Sequence, residues 1–286
     1  MSRTSLPPRL HVGTSSFSAK DWVGPFYPPG TQPAAFLSHY ATVYDTVEID
    51  ATWHAWPSHR TVAGWARKAP PGFVYSLKVP KTITHERYLE DCAEAWDRFW
   101  TLLEPLGEAR GPLLFQFPYV AKGRDAHEYE TGEDFLYRLE RFLPLLSREG
   151  RYVVEVRNAK WYRAPLYDLL RRHGVTLALI AYYTLPAPAR LFAGADPVTG
   201  PFGYLRFLGH HRQMDKLVRA AREERGKTTD WDELLVDRTA ELRGWITFAR
   251  GLLDRWSDTY AYFNNHYAGY APGSIELFTR LWKETP

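Results

Sequence analysis

Short runs rich in β-branched and aromatic residues recur along the chain, each closing on polar or turn residues. They are Leu10 to Thr14, Thr46 to Asp50, Phe73 to Val79, Pro112 to Phe117, Tyr152 to Arg157, Val175 to Leu179, Gly203 to Phe207 and Thr259 to Asn264. Between them lie stretches whose apolar residues recur at helical spacing: Ala34 to Ala41, His59 to Lys68, Leu89 to Leu103, Phe135 to Leu146, Pro165 to His173, Asp232 to Leu253 and Ser274 to Trp282. Strands alternating with helices predict a parallel sheet, and eight repeats predict its closure into a (β/α)8 TIM barrel. Neither a G-x-G-x-x-G turn nor a Walker loop occurs, which removes the best evidence for a doubly wound nucleotide fold. Three segments break the regularity. Ala121 to Glu133 is polar, and Leu185 to Pro201, after the sixth strand, is rich in Pro, Gly and Ala. The stretch after the seventh strand, His210 to Lys227, carries six Lys/Arg against three Asp/Glu. It reads as a solvated helix face or as a basic lid over the barrel mouth.

Composition narrows the function classes. A length of 286 residues suits one α/β barrel filling residues 1–286 as a single domain. No window holds the roughly 18 unbroken apolar residues of a membrane helix, so no membrane partner is expected. The start of the chain has no apolar run of the secretory type, and the expectation is a cytoplasmic protein. The single cysteine, Cys92, excludes an internal disulfide and any cysteine-based metal cluster, and its apolar neighbours predict a buried core thiol. A net charge of +3 tolerates a polyanion without demonstrating one.

Alternation along each strand places the candidate chemistry. Glu48 and Asp50 share one side of the second strand, and Glu155 and Arg157 one side of the fifth. Lys78 ends the third strand, Gln116 the fourth, Arg206 the seventh and Asn264 the eighth. Charged groups at the C-terminal strand ends of a barrel mark its site. The competing explanation is that Glu155 with Arg157, and Lys78 with Glu48 or Asp50, are ion pairs plugging the barrel. Trp22, Trp53 and Trp161 lie in or just after strand ends, where a ring can stack on a ligand or simply pack the rim. The segment Phe263 to Pro272 is expected to be a site-closing loop, with Asn264, Asn265 and His266 as donors; the alternative is that its asparagines cap backbone.

The runs G-T-S-S-F-S-A-K-D-W (from Gly13), V-E-I-D-A-T-W-H (Val47), L-K-V-P-K-T-I-T-H (Leu77), G-P-L-L-F-Q-F-P (Gly111), V-V-E-V-R-N-A-K-W (Val153), Y-L-R-F (Tyr204) and Y-F-N-N-H-Y-A-G-Y-A-P (Tyr262) resemble the YecE-like family, domain of unknown function 72. The resemblance runs in order through nearly the whole chain. It implies a TIM barrel whose family-typical polar residues match Glu48, Asp50, Lys78, His85, Gln116, Glu155, Arg157, Trp161, Arg206, Asn264, Asn265 and His266. It implies no reaction. Leu208 and Gly209 stand where the family commonly has a His-Gly pair.

Two kinds of ligand suit this set. The first is a small anionic molecule bearing phosphate or carboxylate, or a sugar, bound at the barrel mouth by Lys78, Arg157 and Arg206. Glu48, Lys78 and Glu155 would be the acid-base groups of a hydrolase or lyase, or Lys78 the amine of a Schiff base. Asp50, Trp53, His85, Gln116, Trp161, Asn264, Asn265 and His266 would line the site. The second is a phosphodiester, cut by a metal-dependent enzyme of the kind seen in TIM-barrel apurinic endonucleases, or nucleic acid bound without chemistry. No cofactor is required by the sequence. A divalent metal has candidate ligands in Glu48, Asp50, His85, Glu155 and His266, but they lie among three cations and lack H-x-H or H-x-x-x-H spacing, so no metal ligand is assigned.

Overall fold

The computed structural model describes residues 6–120, 132–226 and 228–285. Most of the expected polar loop, residues 121–131, lies outside them, as do residues 1–5 and Lys227.

In chain order the elements are β1 (Leu10–Thr14), α1 (Pro33–Val43), β2 (Thr46–Ile49), α2 (Ala51–His54), α3 (His59–Lys68), β3 (Val74–Lys78), α4 (Ala93–Leu102), β4 (Arg110–Gln116), α5 (Gly132–Phe142), β5 (Tyr152–Glu155) and α6 (Ala164–Arg172). There follow β6 (Thr176–Leu177), β7 (Leu179–Tyr182), α7 (Pro188–Leu191), β8 (Gly203–Gly209), α8 (His211–Arg225), α9 (Thr239–Arg250), β9 (Thr259–Phe263), α10 (Asn265–Ala268) and α11 (Ala271–Glu284). Every strand pairing is parallel, and the order is β1-β9-β8-β7 in one arc and β2-β3-β4-β5-β6 in the other. The two arcs form a (β/α)8 barrel, because β6 and β7 are successive halves of the sixth strand, separated only by Ala178. One half pairs with β5 and the other with β8.

The arcs meet at two seams, and side-chain hydroxyls bridge both. Between β1 and β2 the Tyr40 hydroxyl accepts from Thr14 N (2.8 Å) and donates to the Thr46 carbonyl (3.2 Å). Gly13 is required at this seam, since a Cβ there would lie 2.2 Å from the Thr46 carbonyl oxygen. At the other seam Leu177 N donates to the Thr199 hydroxyl (2.8 Å), which donates to the Val175 carbonyl (2.8 Å). The irregular segment before β8 thus supplies hydrogen bonds that a continuous strand would otherwise make.

Alternation sorts the side chains as expected. Val47, Ile49, Val154 and Val156 face the helices and join the outer core, while Leu114, Val153, Tyr204, Tyr260 and Tyr262 fill the barrel. Two expected helices start late. Tyr88, Leu89 and Asp91 have φ of 50°, 67° and 47°, so α4 begins at Ala93 and not at Leu89. Leu235 and Val236 donate their N–H groups to the Ala268 carbonyl, which keeps this stretch out of α9 until Thr239. The expected loop from Phe263 to Pro272 is instead the single turn α10 followed by the start of α11. Cys92 is buried just before α4, and burial pushes its thiol up to about 11. Among the described residues no helix is long and apolar enough to cross a membrane.

Candidate active site

Arg206 stands inside the barrel on β8, 1% exposed. Strand alternation puts Tyr204 on the same side one layer below. The guanidinium donates to Glu48 through Nε (2.8 Å to Oε2) and Nη2 (2.6 Å to Oε1), and to Glu155 Oε2 through Nη1 (2.5 Å). Asp50 Oδ1 lies 3.3 Å from Nη2. Tyr204 donates its hydroxyl to Glu48 Oε2 at 2.5 Å. The second Glu155 oxygen takes Nε of Arg157 at 2.8 Å. Both glutamates are fully buried beneath the guanidinium.

Burial would raise Glu155, but Arg206, Arg157 and Lys78 outweigh it and hold the carboxyl at about 2. Burial also raises Glu48, and Asp50 adds to it against the pull of Arg206. With the guanidinium fork and a phenol all donating to Glu48, the geometry is built for its charged form.

Above this layer a cavity of about 260 Å³ opens at the C-terminal strand ends. Asp50, Trp53, Lys78, His85, Gln116, Arg157, Arg206 and Asn264 line it, and all of these were expected at the site from the sequence. Lys78 is 9% exposed, and among the described residues no carboxylate lies within ion-pair distance of its ammonium. Its neighbour is the Trp53 ring, 4.7 Å away. Burial, together with Arg206 and Arg157, overrides the pull of Asp50 and Glu155 and brings the amine down to about 8.

Trp53 also fixes His85, which sits in a π-helical turn (Thr82–Glu86) after β3. The Thr84 hydroxyl lies 2.8 Å from His85 Nδ1 and can donate or accept, but an indole N–H can only donate, and Trp53 Nε1 donates to the same Nδ1 at 3.2 Å. The proton of the neutral ring is therefore on Nε2. Burial and the nearby Lys78 and Arg157 push the imidazole down to about 4, so it is an uncharged donor at neutral pH. Arg157 lies on the Tyr182 ring, 4.4 Å to the centroid, and its Nη2 has no partner among the described residues. Gln116 donates to the Phe117 carbonyl (2.6 Å), and Asn264 Oδ1 accepts from His266 N and from its Nδ1 (2.9 Å each).

Four other positions read as site candidates from the sequence fall away from the cavity. Trp161 stacks on Phe135 at 4.7 Å, and Trp22 packs against Phe26 and Tyr27. Asn265 caps α11 by accepting from Ala271 N at 3.0 Å. His266 sits behind Asn264, against Asp215 (3.1 Å) and the His211 ring (4.2 Å); burial holds it below its ordinary value against the pull of Asp215.

The cavity also contains residues outside the sequence expectation. Tyr119, Pro118 and Leu208 line it, as does His211, the first residue of α8, lowered by burial to about 4. Tyr204 and Tyr182, which support Glu48 and Arg157, were recoverable from alternation, since each stands two residues from an inward position. The basic stretch is thus a helix that reaches the cavity with its first residue. Farther along, Met214 and Val218 are buried, and Arg222 and Arg225 pair with Asp230 and Glu233. Gly209, with φ of 67°, lets β8 end against α10, where a Cβ would lie 2.2 Å from the His266 carbonyl oxygen.

The sequence model of the family described as "Protein of unknown function DUF72" matches residues 11–286. The chain belongs to the DUF72 family. A DUF72 family protein of Thermotoga maritima MSB8 shares 30% sequence identity, with a TM-score of 0.70 over 96% of this chain and 98% of that one. A second, from Enterococcus faecalis V583, shares 20% identity and superposes with a TM-score of 0.68 over 96% and 95% of the two chains, which shows the common fold. The UPF0759 protein YunF of Bacillus subtilis (strain 168) is 24% identical over 165 residues, 56% of this chain and 54% of that protein, so the match spans about half of that relative. The DUF72 assignment agrees with the YecE-like resemblance and with the barrel.

Proposed function

We propose that the barrel mouth binds a small organic anion, such as a phosphorylated or carboxylated sugar-like molecule, and that Lys78 faces its reacting group. The observation that carries this reading is the Lys78 amine, nine-tenths buried on a cavity wall with no carboxylate partner among the described residues. A buried lysine without a counter-ion is unfavourable unless a ligand meets it. Arg157 offers to the anionic group its Nη2, which has no partner among the described residues, while His85 Nε2 and the Asn264 amide suit oxygen acceptors. An amine near 8 is placed to give and take a proton around neutral pH, which acid-base catalysis needs. Glu48 and Glu155 then serve as the clamp that orients Arg206, because neither carboxylate reaches the cavity.

The metal-dependent alternative has less support. Glu48, Asp50 and Glu155 are engaged by Arg206, and His85 Nδ1 by Trp53. Among the described residues no group of three or more His, Cys, Asp or Glu is arranged to hold a metal ion. The test is calorimetric titration with inorganic phosphate. Lys78→Met and Arg157→Met should each weaken binding by more than about tenfold, near 1.4 kcal/mol, while Trp161→Phe leaves it unchanged. Phosphate affinity equal in all four proteins, each folded, would contradict the proposal.

A further inference from the structure

We infer that Lys78 forms an imine with a small aldehyde or ketone carrying a carboxylate or phosphate, Arg157 taking the anionic end and His85 the carbonyl oxygen. This rests on the reading of the mouth as an anion site and adds a covalent step to it.

An imine-forming lysine must present an unpaired amine, beside a hydrogen-bond donor for the carbonyl oxygen, in a space that limits access. Among the described residues all three meet here. The Lys78 side chain is nine-tenths buried, and the carboxylates nearest it in charge, Asp50 and Glu155, are engaged by Arg206 and Arg157. An ammonium tied to a carboxylate would keep its proton, whereas one surrounded by cations and aromatic surface gives it up; burial, Arg206 and Arg157 bring this amine to about 8. Trp53 acts as a positioning residue for both partners. Its ring lies against the amine, and its N–H leaves His85 with Nε2 as the only ring donor. A neutral imidazole can stabilise the oxyanion without competing for the proton of the amine. The cavity, about 260 Å³ with Pro118, Tyr119 and Leu208 on its walls, suits a compound of a few carbons.

The step balances without any oxidant or reductant. The ammonium releases one proton to solvent, and the amine lone pair forms the C–N bond as the C=O π pair moves to oxygen. One Nζ proton then transfers to that oxygen. The nitrogen lone pair forms C=N as the C–O bond breaks, and the hydroxyl leaves as water with the proton first released. Ammonium and carbonyl enter; iminium and water leave.

The test uses glyoxylate with sodium cyanoborohydride, a hydride donor that reduces the imine to a stable secondary amine, and reads the label by peptide mass spectrometry at pH 7.5. Lys78 should be carboxymethylated at least roughly tenfold faster than any exposed lysine, because only the unprotonated amine attacks a carbonyl and an ordinary lysine amine, with a reference pKa of about 10.4, is almost wholly protonated at that pH. The label should be lost in Lys78→Arg. Arg157→Met should slow trapping of glyoxylate by a larger factor than that of propanal, which has no anionic end and feels only the rise of the amine's pKa when the guanidinium is lost. Site-resolved labelling of the wild-type protein keeps the test valid if a variant does not fold. Lys78 labelled no faster than surface lysines, with phosphate still bound, would overturn the imine and leave the anion site standing. Rapid, Lys78-specific labelling without phosphate binding, and equal for glyoxylate and propanal, would overturn the role given to Arg157 and with it the anionic substrate.

Discussion

Lys78 brings a positive charge to a place where water is largely excluded and Arg157 and Arg206 are already present. Its depressed pKa makes the unfolded chain bind more protons than the folded one between about pH 8 and the ordinary lysine value. Stability from this residue therefore rises with pH through that window and is at its worst below it. Lys78→Met should accordingly raise stability at pH 7, by roughly 2–3 kcal/mol, and the gain should shrink as the pH climbs from 8 to 10. Denaturant unfolding of both proteins at pH 7 and 10 checks this; a variant less stable than wild type at pH 7 would mean that the amine has a partner. Arg206 behaves in the opposite way. It is the counter-charge of two fully buried carboxylates, so Arg206→Met should cost about 3–5 kcal/mol, the usual penalty for stranding one side of a buried pair. A loss below 1 kcal/mol by the same measurement would show that the glutamates do not depend on it.

The elements are joined at places where strand hydrogen bonds stop. Tyr40 and Thr199 each bridge one seam of the barrel, and removing either hydroxyl leaves a backbone N–H and a carbonyl without partners. Tyr40→Phe and Thr199→Val should each lower stability by about 1–3 kcal/mol. Losses under 0.5 kcal/mol in chemical denaturation would show that the seams close without them. At the other end of the barrel, His11 on β1 holds Asp45, before β2, at 2.8 Å and Asp258, before β9, at 3.4 Å. Burial alone would lower this imidazole, but the hydrogen bonds and charges of the two carboxylates outweigh it and raise its pKa. The stabilisation is fully present below the unfolded value near 6.5 and is lost as the pH rises through the folded one. Melting temperature should thus fall more between pH 6 and 8 in the wild type than in His11→Asn. Parallel pH profiles would remove His11 from the account. Neither seam was legible beforehand, because Tyr40 lies within an amphipathic helix and Thr199 in a Pro/Gly-rich stretch, and local pattern does not reveal distant partners.

Across the whole molecule, the alternation of Glu48 with Asp50, and of Glu155 with Arg157, was enough to turn these side chains inward and, with the eight repeats, to give the barrel. Depth was not legible. Glu48 and Glu155 lie below the cavity because β2, β5 and β8 are staggered so that Arg206 covers both, a relation that spans 158 residues between Glu48 and Arg206. Trp161 had the right place in the sequence but turns outward onto Phe135, and His211 entered through the packing of α8 on α10. What remains at the mouth is the amine of Lys78, without a carboxylate partner among the described residues, within a cavity lined also by donors, rings, Leu208 and the carboxylate that Asp50 shares with Arg206. The most direct measurement is the titration of the Lys78 side chain followed by NMR on protein labelled with 13C at lysine Cε, assigned by comparison with Lys78→Arg. A midpoint near pH 8 is the result expected of the free protein, moving upward when an anion occupies the cavity. A midpoint at the ordinary lysine value of about 10.4, unmoved by phosphate, would contradict it.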